Sequence, residues 1–197
     1  MNRVKNLVPG AAGVIGAALV LAGCATPAEP EPTAAPQPGA DGVTRIVQLA
    51  RERAALSDQV AASKLGTGKP VTDPAREAVV IDTARADASQ DGVDPEWAAQ
   101  VFLDQIAAST QVQNDLLRGW EENPARRPPE KPDLAQVRPQ LDRIGDELID
   151  ALKTAAPVRE TPDCGATLDQ AVGREAGGLD PIHRAALDRA LTSICPA

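Results

Sequence analysis

Apolar side chains recur at steps of three and four along most of the chain after residue 42, the spacing of helices that bury one face. Aspartate–proline pairs mark several starts, because aspartate caps a helix and proline suits its first position. The pattern predicts six helices, at about 43–65, from 74 to the QDG at 90–92, from the DPEW at 94–97 to 120, 134–155, 165–175 and 181–194. No segment alternates with period two, so we predict an all-α fold, a bundle of about four long helices plus two short C-terminal ones.

The first 23 residues have the pattern of an export signal. Arg3 and Lys5 precede a short apolar run that contains glycine and proline, and LAGC at 21–24 resembles the lipobox of bacterial lipoproteins. We predict a lipid on Cys24 that anchors the protein on the extracytoplasmic side of a membrane. A plain signal peptide, with a secreted or periplasmic product, is the alternative; the run is too short and broken to favour a transmembrane helix. The predicted parts are a signal peptide over 1–23, a Pro/Ala-rich tether over 24–41 and a helical domain over 42–197.

Composition favours close helix packing and an anionic surface. Hydrophobic residues make up 43% of the chain, and they are nearly all aliphatic or alanine, with one Phe, two Trp and no Tyr. Removal of the signal peptide leaves 18 basic against 28 acidic residues, a formal charge of −10. Such a surface repels a phosphate backbone, so no nucleic-acid partner is predicted.

Two cysteines remain besides Cys24. Cys164 and Cys195 would form one disulfide in an exported protein, and we predict that it pins the two C-terminal helices. A metal site is the alternative, but no histidine lies at zinc spacing from the two thiols. The only histidine, His183, falls on a short polar helix and is predicted to be a surface residue.

Polar side chains interrupt the apolar stripe of every long helix. Arg53 and Lys64 lie on the core-facing line of the first helix, about three turns apart. The other interruptions are Arg76 in the second helix, Ser109 and Gln113 in the third, and Arg138 in the fourth. One such cation usually extends past the core to water, but the coincidence in several helices favours a shared site. Only Asp73 is an obvious acidic partner, so the sequence predicts a cationic pocket for a small dicarboxylate.

These residues, in this order, resemble a known family, the all-helical chorismate mutases. The ordered set is Arg53, Lys64, Asp73, Arg76, Ser109 and Gln113. The exported subclass is the nearer match, because the chain shares its signal sequence, its DGVDPEWAAQVFLDQI-like third helix, its proline-rich connection and its two C-terminal cysteines. The resemblance covers about residues 41–197.

The resemblance implies an isomerase of the shikimate pathway that converts chorismate to prephenate without a cofactor, a metal or a proton transfer. Arg53, Arg76 and Arg138 would hold the two carboxylates of chorismate. Lys64 and Gln113 would hydrogen-bond the ether oxygen whose bond breaks. The remaining implied substrate contacts are Asp73, Ser109 and Val80. The resemblance also implies that one chain supplies a complete site and that the protein is a homodimer.

Two alternatives to this function stay open. One is an isochorismate pyruvate-lyase of similar fold, and the other is a non-catalytic helical lipoprotein that binds an anion or a partner. Two further positions affect the assignment of site residues. Lys69 is an alternative to Lys64 for the ether contact, and Pro139 is expected to kink the fourth helix or delay its start, which would re-aim Arg138.

Overall fold

The computed structural model describes residues 39–196 of the chain. Within that range it contains six α-helices, one short 3-10 helix and no strand, which confirms the predicted all-α fold. The helices are α1 Ala40–Lys64, α2 Pro74–Asp91, α3 Pro95–Glu122, α4 Leu134–Arg159, α5 Cys164–Glu175 and α6 Pro181–Ala190, with the 3-10 helix at Pro124–Arg126. None of the described helices is long and apolar enough to cross a membrane. The predicted signal peptide, Cys24 and most of the tether lie outside the described residues.

Aspartate side chains cap four of these helices at their N-termini. Asp73 accepts a hydrogen bond from the backbone N–H of Arg76 at 3.1 Å, at the start of α2. Asp94, Asp133 and Asp180 cap α3, α4 and α6 in the same way. Because a cap is a contact between near neighbours in sequence, these helix starts are set locally, and the predicted starts at 74, 95, 134 and 181 are confirmed.

Pro139 lies inside α4, which begins at Leu134 and continues through it to Arg159. The expectation of a delayed start was therefore wrong. Proline removes one backbone donor and crowds the carbonyl four residues before it, which here belongs to Ala135. Both Ala135 and Pro139 are exposed in the first turns of the helix, so that carbonyl can hydrogen-bond to water instead.

Helix α1 is the centre of the bundle and packs against α3, α4, α5 and α6. Ile46 and Leu49 of α1 and Leu148 of α4 are among the largest fully buried side chains. By contrast, Ala84 and Ala88 are the only buried residues of α2. The packing of α1 in the bundle therefore determines which of its polar side chains lie close to those of α3 and α4.

The crossing of α1 and α4 depends on Gly42. A Cβ at this position would lie 2.5 Å from the backbone nitrogen of Ala155 and 2.8 Å from the carbonyl oxygen of Ala151. We expect Gly42→Ala to lower the free energy of unfolding by about 2–3 kcal/mol, because two helix backbones would have to separate. Urea denaturation measures this change. Gly145→Ala is the control, since its Cβ would approach only Phe102, at 3.7 Å; equal losses in both variants would contradict the prediction.

Cys164 and Cys195 form a disulfide with their Cα atoms 5.8 Å apart, as predicted. The bond joins the first residue of α5 to the segment after α6, and so encloses both short helices in one loop. In the chain-entropy account, closing a loop of this length stabilises the fold by roughly 3–4 kcal/mol. The indole N–H of Trp97 donates to the carbonyl of Ser193 at 2.9 Å, which fastens the same segment to α3.

His183 lies between α6 and α1 with its side chain only 12% exposed, so the prediction of a surface residue was wrong. Its Nε2 is 2.9 Å from Oδ1 of Asp58, and its Nδ1 is 2.7 Å from Oδ2 of Asp180. Burial favours the neutral ring, but the hydrogen bonds and charges of Asp180 and Asp58 outweigh it, and the pKa of His183 is raised. The two carboxylates thus hold a protonated imidazole that joins α6 to α1.

The raised pKa of His183 makes the stability of the protein depend on pH. The contact stabilises the fold fully below the unfolded pKa of about 6.5 and loses this effect as pH rises through the folded value. We expect His183→Ala to lower the free energy of unfolding by about 1–3 kcal/mol near pH 5.5, and by less near pH 9. Urea denaturation at both pH values tests this, and His183 is the only histidine in the chain. An equal loss at both pH values would mean that packing alone holds the ring.

Candidate active site

Arg53 is a desolvated cation in the middle of α1. Its side chain is partly exposed, but its Nε is enclosed and has no hydrogen-bond partner within the described part of the chain. Burial lowers the pKa of Arg53 to about 10, and the charge of Asp142 opposes this shift. Arg53 therefore stays charged at neutral pH, at a cost of roughly 3 kcal/mol, since one pKa unit is about 1.36 kcal/mol. Such a group provides a favourable site for an anionic ligand.

Hydrogen bonds link this turn of α1 to α3. Ser57 is 1% exposed, and its hydroxyl lies 3.1 Å from the carbonyl oxygen of Arg53 and 2.8 Å from the hydroxyl of Ser109. The Nε2 of Gln113 donates to the carbonyl oxygen of Ser109 at 3.2 Å and to its hydroxyl at 3.1 Å. Ser109 and Gln113 thus lie against the turn that carries Arg53, and Ser57 is the bridge between them.

The side-chain amide of Gln113 is only 5% exposed and is incompletely paired. Its Oε1 is buried without a partner among residues 39–196. Its Nε2 is already paired with both oxygens of Ser109, so Oε1 is the unpaired atom of the amide. Buried polar groups are rarely left unpaired, because the free energy lost on leaving water is then not recovered by a hydrogen bond within the protein. A polar ligand can therefore accept a hydrogen bond from the Nε of Arg53 and donate one to the Oε1 of Gln113.

Lys64 lies at the end of α1, where the loop to α2 begins. Its ammonium donates to the carbonyl oxygen of Val71 at 2.6 Å. Burial lowers the pKa of Lys64, and the negative charges of Asp73 and Glu77 oppose that shift. The carboxylate of Asp73 also caps α2, so one side chain both fixes the helix start and acts electrostatically on Lys64.

Arg76 and Arg138 are exposed, on α2 and α4 respectively. The guanidinium of Arg76 lies 4.0 Å from Oδ1 of Asp142, and both side chains are more than half exposed. Val80, one turn after Arg76, is partly buried and packs against the core. The structure thus brings Ser109 and Gln113 against the turn of α1 that carries Arg53, pairs Arg76 with Asp142, and leaves Arg138 exposed.

Two residues of this region were missed by the sequence reasoning. Asp142 acts on both Arg53 and Arg76, and is an exposed acidic partner in addition to Asp73. A signal was present, because Asp142 follows Arg138 by four residues and Ser57 follows Arg53 by four, which places each pair on one helix face. The sequence alone gave no reason to select these two over other polar residues.

Two surface depressions lie away from this cluster. One, of about 270 Å³, is between the N-terminal part of α1 and α4, and the other, of about 390 Å³, is between α3 and α6. Neither is lined by a residue of the predicted site. The candidate site is therefore the polar cluster between α1 and α3 together with Asp142 of α4 and Arg76 of α2.

Comparisons with known proteins agree on one family. Residues 44–114 match the family described as Chorismate mutase type II. A secreted chorismate mutase of Mycolicibacterium smegmatis is 34% identical over 177 residues, which is 89% of this chain and 94% of that protein. The crystal structure of a chorismate mutase from Burkholderia thailandensis has a TM-score of 0.72 at 41% identity and covers 78% of this chain and 99% of its own. One from Burkholderia phymatum has a TM-score of 0.74 at 39% identity, over 82% and 100% of the two chains.

These similarities extend well beyond the matched family segment and include the C-terminal helices. The relatives share both sequence and helical architecture with this chain over most of their length. The chain therefore belongs to the chorismate mutase type II family of isomerases.

Proposed function

We propose that the protein converts chorismate to prephenate in the cluster formed by Arg53, Ser109 and Gln113 and the cations beside it. The observation that carries this proposal is the buried, unpaired Nε of Arg53, in a turn of α1 that contacts Ser109 of α3, in a member of this family. Chorismate offers two carboxylates that can accept from Arg53, and an ether oxygen that can accept from the amide N–H of Gln113.

The carboxylates are bound by Arg53, Arg76 and Arg138, whose planar forks suit bidentate pairing. Arg53 contributes most in this account, because its charge is already desolvated, whereas the other two are exposed. Val80 supplies apolar contact beside Arg76, and Ser109 lines the polar rim. Holding both carboxylates selects the compact conformer of the substrate from which the rearrangement proceeds.

Lys64 and Gln113 donate to the ether oxygen, on which negative charge grows as the carbon–oxygen bond breaks. Lys64 is held by Val71 and by the charge of Asp73, and the Nε2 of Gln113 would exchange one of its contacts with Ser109 for the ether oxygen. An acceleration of about 10⁶ requires about 8 kcal/mol, which conformer selection and two donors can supply. The proposed reaction is unimolecular, so it needs no nucleophile, general base, cofactor or metal.

We also propose that the protein is exported, anchored by a lipid and dimeric. The N-terminal signal pattern and the secreted relatives support export of this chain, and LAGC at 21–24 supports a lipid on Cys24. The family resemblance supports a homodimer in which each chain holds a complete site. Mass spectrometry of the mature N-terminus tests the lipid, and light scattering tests the dimer.

Incubation of the purified protein with chorismate tests the activity. We expect the ultraviolet absorption of chorismate to disappear and prephenate to accumulate. Isochorismate is the matched second substrate, and its conversion to salicylate and pyruvate would assign the lyase activity instead. Binding of chorismate without turnover would leave only the non-catalytic alternative.

A further inference from the structure

Asp142 is a carboxylate placed where the carboxylates of the proposed substrate would bind. Its Oδ1 lies 4.0 Å from the guanidinium of Arg76, and its negative charge also acts on Arg53. The two arginines belong to different helices, α2 and α1, and Asp142 reaches both from α4. Arg138 is four residues before Asp142 on the same helix face. One acidic group therefore acts on two of the arginines to which we assign carboxylate binding and shares a helix face with the third.

This placement has a cost for ligand binding. A dianion that pairs with Arg53 and Arg76 has to approach a fixed negative charge and replace its contact with Arg76. The ion pair itself contributes little to stability, since its two side chains are 57% and 68% exposed. The pair of Asp142 with Arg76 thus contributes little to the stability of the fold. Its main expected effect is on the affinity of the site for a dianion.

We propose that Asp142 weakens the retention of dianions in the site. This inference rests on the proposed function, because it takes chorismate and prephenate as the ligands. Both are dicarboxylates, so repulsion from Asp142 acts on substrate, transition state and product alike. Uniform weakening raises KM and the product inhibition constant together and leaves kcat unchanged unless product release limits it. Asp142 thereby allows the product to leave.

The test compares Asp142→Asn with the wild-type full-length protein. We expect KM for chorismate and the inhibition constant of prephenate to fall together, by roughly three- to tenfold at low salt, and the difference to shrink at high salt. Asp146→Asn is the matched control, since Asp146 is an exposed carboxylate one turn further along α4, and it should change neither constant. Thermal melting confirms that both variants are folded.

Three results would overturn the assignment of Asp142. A rise in KM would mean that Asp142 orients Arg76 for binding, unchanged constants would mean that it has no role, and a fall in KM without a fall in the inhibition constant would contradict uniform repulsion. Turnover by the wild type tests the proposed function separately. If the wild type does not turn over, calorimetry with chorismate replaces kinetics, and Asp142→Asn must then bind it more tightly; equal binding, or none in either protein, overturns the inference.

Discussion

Arg53→Ala is expected to lower kcat/KM for chorismate by about 10³-fold or more, which corresponds to about 4 kcal/mol of transition-state stabilisation. The reason is the environment of Arg53. Its Nε is enclosed and unpaired within the described residues, and burial lowers its pKa to about 10. A charge that is already desolvated attracts a carboxylate more strongly than a solvated one. We therefore expect a larger loss than for alanine at the exposed Arg76 or Arg138.

The fold should survive this substitution. Substitution by alanine removes the desolvation cost of the Arg53 cation. This gain in stability offsets the loss from the small cavity that the shorter side chain leaves. Arg118→Ala is the matched control, because Arg118 is exposed on α3 and pairs only with its near neighbour Asp115 among the described residues. Steady-state kinetics and thermal melting of both variants check the prediction. A folded Arg53→Ala protein that keeps more than about a tenth of the wild-type kcat/KM would contradict the role of Arg53.

Gln113→Glu is expected to turn a pH-independent enzyme into one that requires acid. An amide donates a hydrogen bond at any pH, whereas a carboxyl donates only when protonated. Gln113 is 5% exposed and faces the carbonyl oxygen of Ser109 at 3.2 Å, so an ionised carboxylate there is both desolvated and close to another oxygen. We expect kcat/KM of the variant to fall about tenfold per pH unit above the pKa of the new carboxyl.

The wild type should keep a constant kcat/KM from mildly acidic to neutral pH, since Arg53, with a pKa of about 10, stays charged throughout. Gln111→Glu is the matched control on the same helix, two residues away and outside the site, and its profile should remain flat. The measurement is kcat/KM for all three proteins across this pH range. A similar fall toward neutral pH in the wild type and in Gln113→Glu would contradict the donor role of Gln113.

Some features of this protein depend on neighbouring residues, and these were predictable from the sequence. The six helices, and four of their start positions, follow from the spacing of apolar residues and from capping aspartates such as Asp73. The disulfide between Cys164 and Cys195 followed from the small number of cysteines in a chain with an export signal. Even the polar cluster was indicated, because Arg53 and Gln113 interrupt apolar stripes in their own helices.

The contacts within the site were decided by tertiary structure. Ser57 meets Ser109 across 52 residues of sequence, and Asp142 reaches Arg76 from another helix, so both contacts depend on the rotation and crossing of packed helices. His183 is mostly shielded from solvent for the same reason, since its partner Asp58 is 125 residues away. The sequence by itself determined which segments are helical and which faces carry unusual charge, because those properties repeat every three to four residues. The contacts between these charged groups depend on the tertiary packing. One close approach between backbones, as at Gly42, sets the relative position of two entire helices.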